Sequence, residues 1–334
     1  MSGTNRMAKL AQRPIGMVKH EDFAIEDGPV PEAGDGEFRV KLEYVSLDPA
    51  MRPWLNEGPS YAPPVGIGEV MRAFAAGTVD ASNHPDYKEG DAVSGLFGVQ
   101  QYAVSKGQGV AKLDTSLAPL ERWIGGLGMP GTTAYFGLLD VGKPKEGETV
   151  VVSAASGAVG GIVGQIAKIK GCRAVGIAGG PEKCSVVTDE LGFDACVDYK
   201  ADDLSGQLKE ACPDGIDIYY ENVGGVIQDT VMPLMNQFGR IPVCGLISAY
   251  NATKPPTGPN NMRFVLVHRL RIQGFIVFDF ADRAQEAVDH LGKWQAEGKL
   301  VMREDVREGG VEAFPDVLNL LYTGGNNGKL VLKV

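Results

Sequence analysis

From Glu148 onward, apolar segments suited to β-strands alternate with helical segments. The strand segments are, in order, ETVVVSA, RAVGIAG, DACVDY, IDIYYENV, GRIPVCG and LRIQGFIV. Helical stretches separate them, including one from Gln228 to Asn236 and one from Ala281 to Glu297. This alternation is typical of a doubly wound parallel sheet. We therefore predict an α/β domain in the second half of the chain.

The segments on either side of this region have β character. Residues 10–120 contain short alternating strands such as FRVKLEYVSL, separated by turns rich in Pro and Gly. After Gly298 the chain returns to β character in KLVMREDV and GKLVLKV. We infer that this tail rejoins the first lobe. The expected mainly β domain comprises residues 1–125 and 300–334, and the α/β domain inserted into it comprises residues 126–299.

Charge and composition exclude several classes of partner. The net charge of −10 opposes a polyanion, and no dense basic run compensates for it, so nucleic acid is not expected as a partner. Five cysteines without a CxxC pair fit a reducing cytoplasm. No segment approaches 18 uninterrupted apolar residues, so we expect no membrane association.

A glycine-rich turn stands at the first strand-to-helix junction of the α/β region. Its residues are Ala155-Ser156-Gly157-Ala158-Val159-Gly160, a GxGxxG pattern with alanine in the first glycine position. Gly157 would let the backbone approach a pyrophosphate, and Gly160 would let the helix pack closely on the strand. The alternative is a glycine-rich helix start that binds nothing. The surrounding strand and helix alternation favours dinucleotide binding.

The tip of the second strand indicates which nicotinamide cofactor binds. NAD enzymes usually place a carboxylate about 20 positions beyond the glycine motif, where it accepts hydrogen bonds from the ribose. Here the strand ends in Ala178-Gly179-Gly180, and Lys183 follows on the next helix. This favours NADPH, with Lys183 opposite its 2′-phosphate. Alternatively, Lys183 is an ordinary solvated helix lysine.

Other catalytic patterns are absent or contradicted. The four histidines are scattered without metal-ligand spacing, so no metal site is predicted. No GxSxG elbow is present. Tyr250 and Lys254 form a YxxxK pattern, which in short-chain dehydrogenases requires both residues on one helical face. Pro255 and Pro256 follow at once and disfavour that helix.

Several separated motifs carry a resemblance to a known family over almost the whole chain. They are SLDPAMR (Ser46 to Arg52), GMPGTTAYFGLLDVG (Gly128 to Gly142), AASGAVGGIVGQIAKIKGC (Ala154 to Cys172), YYENVGG (Tyr219 to Gly225), VCGLISAYN (Val243 to Asn251), GFIVFDF (Gly274 to Phe280) and NNGKLVLKV. With these the chain resembles the zinc-independent medium-chain dehydrogenases/reductases, in the branch of prostaglandin reductase, alkenal double-bond reductase and curcumin reductase. This implies a Rossmann doubly wound sheet inserted into a mainly β, GroES-like substrate domain.

The resemblance also implies NADPH as cofactor and assigns residues to it. Lys183 and Tyr199 would hold the adenosine 2′-phosphate. Asn222 would lie along the cofactor, and Phe275 and Val277 would flank the nicotinamide, although core packing is an alternative role for Phe275. The remaining positions implied to line the cofactor, besides the glycine turn, are Met129, Thr133, Gly179, Cys244, Gly245, Ile247, Tyr250 and Asn326.

For the substrate, the resemblance implies that Tyr250 points toward the carbonyl oxygen and acts as the catalytic residue. The predicted substrate-binding residues are Ala50, Met51, Arg52 and Trp54. Where many family members have DPYMR, this chain has DPAMR, so Ala50 replaces an aromatic side chain at the substrate mouth. Trp54 offers a different bulky group nearby.

The expected activity is NADPH-dependent reduction of the carbon–carbon double bond of α,β-unsaturated ketones or aldehydes, without a metal. Two alternatives remain open: a quinone oxidoreductase of the same superfamily, and a non-catalytic NADPH-binding sensor or structural protein. Ser46, near the position of the superfamily's metal cysteine, opposes a zinc alcohol dehydrogenase. By resemblance, a homodimer is expected, with the apolar strand Leu270 to Val277 as a plausible pairing edge.

Overall fold

The computed structural model describes residues 3–334. They form two compact units: the described residues up to Gly125 together with Glu304–Val334, and Gly126–Arg303. None of the helices in this part of the chain is both long and apolar enough to span a membrane.

The strands and helices are numbered in chain order. The strands are β1 Thr4–Leu10, β2 Phe23–Pro29, β3 Phe38–Ser46, β4 Ala75–Ser82, β5 Ala92–Gly95, β6 Tyr102–Ser105, β7 Ala111–Lys112, β8 Thr149–Ser153, β9 Arg173–Ala178, β10 Ala195–Asp198, β11 Ile216–Tyr220, β12 Met235–Val243, β13 Arg271–Gly274, β14 Glu304–Arg307 and β15 Lys329–Lys333. The α-helices are α1 Leu120–Trp123, α2 Met129–Phe136, α3 Gly160–Ile169, α4 Pro181–Ser185, α5 Leu204–Ala211, α6 Gly225–Val231, α7 Arg263–Val267, α8 Ala284–Ala296 and α9 Phe314–Thr323.

The first unit is mainly β. Its larger sheet has the order β14-β15-β3-β4-β5-β7, with β6 also paired to β3, and β1 and β2 form a separate antiparallel pair. The tail rejoins this unit as expected, because β15 pairs antiparallel with β3 and Val331 lies opposite Ser46. Alternating inward side chains of β3, including Phe38, Val40 and Leu42, are buried in its core.

The second unit has a six-stranded parallel sheet in the order β10-β9-β8-β11-β12-β13. The chain order therefore runs outward from β8 on one side and returns to β11 on the other, which is the Rossmann arrangement. All five residues of the central strand β8 are buried, because neighbouring strands flank it on both sides. The α/β fold class and all six predicted strands are confirmed.

Two predicted details of the second unit are wrong. The helix expected from Gln228 to Asn236 ends as α6 at Val231, and β12 begins at Met235. Pro233 explains this difference, because it has no N–H to donate to the carbonyl four residues earlier. The last strand is also shorter than the apolar run from Leu270 to Val277 suggested.

Residues 300–303 pack with the second unit. The side chain of Gln165 on α3 donates to the carbonyl of Val301 (3.0 Å) and accepts from its N–H (2.7 Å). Arg303 pairs with Glu190 of the same unit. These contacts place the second boundary of the compact units between residues 303 and 304.

Candidate active site

The carboxyl ends of the six parallel strands lie at one edge of the sheet, where ligands bind in open α/β sheets. The structure brings predicted cofactor residues to this edge after every strand. These residues are Ala155 to Gly160 after β8, Gly179 after β9, Tyr199 after β10, Asn222 after β11, Cys244 and Gly245 after β12, and Phe275 after β13.

The glycine turn packs so closely that side chains are excluded at its key positions. A Cβ at Gly160, the first residue of α3, would lie 2.3 Å from the carbonyl oxygen of Ala154, and one at Gly157 would lie 3.1 Å from the same atom. Ala154 has a left-handed backbone (φ 53°) that turns the chain off β8. The N-terminal N–H groups of α3 are thereby presented beside an open backbone surface that suits a pyrophosphate.

Ala155 replaces the first glycine of the motif, and its neighbour compensates for the added methyl group. Ala155 is fully buried. A Cβ on Gly176 of β9 would lie 2.8 Å from the Ala155 Cβ, so glycine at 176 leaves the space that alanine at 155 fills. The departure from GxGxxG is therefore accommodated within the fold.

The tip of β9 is shaped by contact with the loop after β10. A Cβ at Gly179 would lie 2.8 Å from the Tyr199 ring. The Asp198 carboxylate accepts backbone N–H bonds from Gly180 (2.8 Å) and Lys200 (2.9 Å), so it is engaged by its own turns. Lys183 lies in α4, half-buried. An adenosine 2′-phosphate fits a lysine, a half-exposed tyrosine and a β9 tip that contributes no acidic residue of its own, with the nearby Asp198 carboxylate already bonded to the Gly180 and Lys200 N–H groups.

Hydrogen bonds join the loops after β8, β11 and β12. The Asn222 amide donates to the carbonyl of Ser153 (2.7 Å), and the Asn222 N–H donates to the Ser153 hydroxyl (2.9 Å). The N–H groups of Cys244 and Gly245 donate to the Glu221 carbonyl (2.9 and 3.2 Å). These bonds hold three segments that are predicted to line the cofactor in one arrangement.

Tyr250 follows directly on a 3₁₀ turn formed by Ile247–Ala249. The Ile247 N–H donates to the carbonyl of Asn222 (3.2 Å), which ties this turn to the loop after β11. The Tyr250 hydroxyl accepts the N–H of Leu246 (3.1 Å). Tyr250 and Lys254 do not share a helix, since the chain between them forms turns and bends.

A buried tyrosine supports the residues predicted to surround the nicotinamide. The Tyr220 hydroxyl donates to the carbonyl of Thr133 in α2 (3.0 Å), while the Thr133 hydroxyl donates to the carbonyl of Met129 (2.7 Å). The Phe275 ring meets Tyr220 edge-on at 6.3 Å. A Cβ at Gly137 would lie 2.3 Å from both the Tyr220 hydroxyl and the Phe275 ring.

Phe275 has the core-packing role that was the alternative for it, at a position beside the cofactor edge. It is buried, and its ring contacts are aromatic, including Phe280 at 6.4 Å, so it packs within the second unit. It also directly follows β13 at the cofactor edge. Val277, two residues later, is half-buried and begins a 3₁₀ turn. Their contact with nicotinamide stays a prediction.

Two of the predicted substrate residues, Met51 and Trp54, are buried in the first unit, and a third is half-buried. Met51 is fully buried, and its sulfur accepts the Asp48 N–H (3.4 Å). The Trp54 indole donates to the Tyr61 hydroxyl (3.1 Å). Ala50 is half-buried. Substrate contact by these residues stays a prediction.

Arg52, the remaining predicted substrate residue, is anchored inside the same unit. Its guanidinium donates to the carbonyls of Gly16 (2.9 Å) and Pro14 (3.0 Å) and to the Asn56 side chain (2.7 Å). Burial lowers the pKa of Arg52. These bonds tie together separate loops of the first unit.

The first unit also contains a buried ion pair that the sequence did not suggest. Lys329, at the start of β15, donates to the Asp48 carboxylate (2.7 Å) and to the carbonyl of Leu47 (2.7 Å). Ser46 donates to the other Asp48 oxygen. Asn326 lies three residues before Lys329 and is half-buried. The pair thus connects the SLDPAMR motif with the NNGKLVLKV motif.

Comparison with known proteins shows which family the chain resembles in sequence and structure. Residues 6–113 match a family model described as the N-terminal domain of oxidoreductase, and residues 158–293 match one described as zinc-binding dehydrogenase. NADPH-dependent curcumin reductase of Escherichia coli (strain K12) is 50% identical over 335 residues, which cover 99% of this chain and 97% of that protein. The NADP(+)-dependent 2-alkenal reductase of Nicotiana tabacum is 40% identical, covering 99% and 98%. CurA from Vibrio vulnificus, solved in complex with NADPH, superposes with a TM-score of 0.93 at 47% identity, covering 98% and 99%.

The chain belongs to the zinc-independent medium-chain dehydrogenase/reductase family. The resemblance inferred from the motifs is thus confirmed. In this family member, no group of three or more His, Cys, Asp or Glu side chains among residues 3–334 lies close enough together to hold a metal ion. The Ser46 hydroxyl, near the superfamily's metal-cysteine position, bonds to Asp48 instead.

The cysteines of this reductase-family chain are neutral thiols. Burial raises the pKa of Cys172 and Cys212 to about 11, and that of Cys244 to about 12. Burial also raises the pKa of Cys184 and Cys196. Because the thiolate is the nucleophile, these thiols are poorly suited to covalent catalysis.

Proposed function

We propose that this protein reduces the carbon–carbon double bond of α,β-unsaturated ketones and aldehydes with NADPH and without a metal. The observation that carries this proposal is the convergence, at the cofactor edge of the sheet, of the glycine turn, the Ala178-Gly179-Gly180 tip of β9 and the Tyr250 turn. The chain is an NADPH-dependent oxidoreductase of its family, and NADPH is its cofactor.

The residues of the second unit fit NADPH. A Cβ at Gly160 would collide with the Ala154 carbonyl, so glycine there lets α3 begin close to β8, and Gly157 leaves the backbone open to a pyrophosphate. Lys183 and Tyr199 would hold the 2′-phosphate, and Asn222, Cys244 and Gly245 would line the remaining length. When bound, NADPH supplies a hydride from C4 of its nicotinamide.

Tyr250 would act on the oxygen of the substrate. Hydride addition to the β-carbon of an enone leaves negative charge on the carbonyl oxygen, and a phenolic hydroxyl stabilises that charge by donating a hydrogen bond. Solvent or the same hydroxyl then protonates the α-carbon. The turn that positions Tyr250 is fixed to the loops after β11 and β12, so the phenol starts from a defined position.

The proposal is tested by following NADPH absorbance with purified protein and a panel of enones, 2-alkenals, phenylpropenals and quinones. We expect consumption of NADPH in strong preference to NADH, insensitive to EDTA, with a saturated ketone or aldehyde as product. Turnover confined to quinones would replace the proposal with a quinone oxidoreductase. Saturable NADPH binding without any turnover would favour a sensor or structural protein.

We further propose a homodimer that pairs through β13. All four residues of this edge strand are exposed, and its sequence neighbours Leu266 and Val267 are 81% and 54% exposed. The unpaired backbone of an exposed edge strand is ordinarily covered, and a second copy covers it symmetrically. We expect a solution mass near twice the 35.5 kDa of one chain.

Ile272→Lys places a charge within this edge and is expected to give monomers in sedimentation velocity. Val226→Lys on α6, the same apolar-to-lysine change at a side chain that is 78% exposed, is the matched control and should leave the dimer intact. A monomeric wild-type protein, or an Ile272→Lys protein that stays dimeric, would contradict pairing through β13.

A further inference from the structure

One buried carboxylate joins the loops that line the cofactor edge. Glu221 directly follows β11 and is fully buried. Its Oε1 accepts the backbone N–H groups of Val223 (2.7 Å) and Gly224 (2.9 Å), which closes the turn that contains Asn222. Acidic side chains often close turns by accepting the N–H groups two and three residues later.

The same oxygen also reaches the neighbouring strands. The Ser153 hydroxyl at the end of β8 donates to Glu221 Oε1 (3.0 Å), and the Tyr219 hydroxyl on β11 donates to it as well (2.9 Å). Ser153 is the last residue of β8, two positions before the glycine turn begins at Ala155, and it also accepts the Asn222 N–H. Glu221 therefore connects the turn after β11 with the start of the glycine turn.

This arrangement is not explained by stability. Four hydrogen bonds converge on Oε1, whereas the buried Oε2 has no hydrogen-bond partner among residues 3–334. Burial raises the pKa of Glu221, so the loss of hydration outweighs these four bonds. Buried charged groups with incomplete partners require a specific reason to be present.

We propose that Glu221 is a positioning residue that sets the glycine turn and the Asn222 turn at the separation NADPH requires. This inference rests on the proposed function, because it assumes that both turns contact NADPH. The Ser153 link is the bridging bond, since it joins two loops. The bond from the Tyr219 hydroxyl to Glu221 joins two residues of one chain segment, so it connects no separate loops.

Glu221→Gln keeps the size of the side chain and one acceptor oxygen, but it removes the charge that strengthens the four bonds to Oε1 and places an NH2 group at the Oε2 position, where no acceptor lies among residues 3–334. We expect the Kd for NADPH, measured by fluorescence titration, to rise at least about tenfold. With saturating NADPH, kcat should change much less than this Kd. A Glu221→Gln protein that binds NADPH within about twofold of wild type would overturn the proposal.

The stability of the Glu221→Gln protein shows whether Glu221 positions the cofactor-binding turns or only holds the fold together. Because burial raises the pKa of Glu221, the folded protein binds a proton at this side chain more tightly than the unfolded chain does. The contribution of Glu221 to the free energy of unfolding is therefore largest below the ordinary glutamate pKa, and it falls as pH rises from that value through the folded-state pKa. Glu221→Gln lacks this decline. The facing titratable groups, the Tyr219 phenol and the Cys244 thiol, stay neutral because burial raises their pKa values. A thermal midpoint that is retained near neutral pH while NADPH affinity falls supports positioning, and a parallel loss of both overturns it.

A second pair of variants keeps the inference testable if Glu221→Gln fails to fold. Ser153→Ala removes the bond to Glu221 together with the acceptor of the Asn222 N–H, so both links that the Ser153 hydroxyl makes to the turn after β11 are lost. Tyr219→Phe removes a bond to the same Glu221 oxygen and leaves those links in place. We expect weaker NADPH binding for Ser153→Ala and unchanged binding for Tyr219→Phe. Equal effects would overturn the bridging role. If wild-type protein itself bound no NADPH, the proposed function would fail, and this inference with it.

Discussion

Replacing Lys329 with methionine is expected to lower the free energy of unfolding by about 3–5 kcal/mol. The Lys329 and Asp48 side chains are only 3% and 8% exposed, and the pair joins β15 to the loop after β3. Methionine fills a similar volume but leaves the Asp48 carboxylate buried without a counter-charge. The loss is measured by urea denaturation followed by circular dichroism.

The double variant Asp48→Asn/Lys329→Met shows whether the charge alone is responsible. Burial lowers the pKa of Lys329 despite the opposing effect of Asp48, so the attraction does not fully offset the lost hydration. Removing both charges should therefore recover most of the loss, to within about 1 kcal/mol of wild type. If the double variant were as unstable as Lys329→Met, packing or the bond to the Leu47 carbonyl would be the main contribution.

The ion pair illustrates what the sequence pattern could not reveal. Lys329 lies at the edge of the apolar segment KLVLKV, where a lysine is ordinarily solvent-exposed. Its partner is 281 positions away in the chain. Only the pairing of β15 with β3 brings them together, and a one-dimensional pattern carries no information about that register.

Local sequence patterns were sufficient to predict the strands of the second unit and its glycine turn. Apolar runs between helical segments predicted all six strands, because a strand buried on both faces must be continuously apolar. The glycine turn was also predictable, since close approach of α3 to β8 excludes a Cβ at Gly160. The compensation of Ala155 by Gly176 was not predictable, because Ala155 follows β8 whereas Gly176 lies in β9, and the two meet only in the folded sheet.

At the cofactor edge, the positions of residues could likewise be predicted from the sequence, whereas roles that depend on distant contacts could not. Asn222, Cys244 and Phe275 each follow a predicted strand, so their shared edge followed from parallel topology. Glu221 stands beside Asn222 in the same motif, but its role depends on Ser153, which is 68 positions away. For Met51 and Arg52, the motif indicated a substrate mouth, yet the contacts observed for them lie within the first unit.

Replacing Tyr250 with phenylalanine is expected to reduce kcat for enone reduction about 10²- to 10³-fold, as for loss of one donor to a developing oxyanion. The Kd for NADPH should remain close to the wild-type value, because the phenol is proposed to act on the substrate oxygen. In the folded protein the variant leaves the Leu246 N–H without the phenolic acceptor. Leu246 is 41% exposed, so water can replace that bond and the thermal midpoint should change little.

Tyr102→Phe in β6 of the first unit is the matched control, since it deletes the same hydroxyl from a half-buried tyrosine outside the cofactor edge. It should reduce an enone at the wild-type rate. Steady-state kinetics of both variants, with product identification, provide the comparison. Tyr250→Phe turnover within about threefold of wild type would remove Tyr250 from the reaction, because that ratio corresponds to under 1 kcal/mol of transition-state stabilisation. Enolate stabilisation would then have to come from another donor, and the geometry at the cofactor edge would still account for NADPH binding.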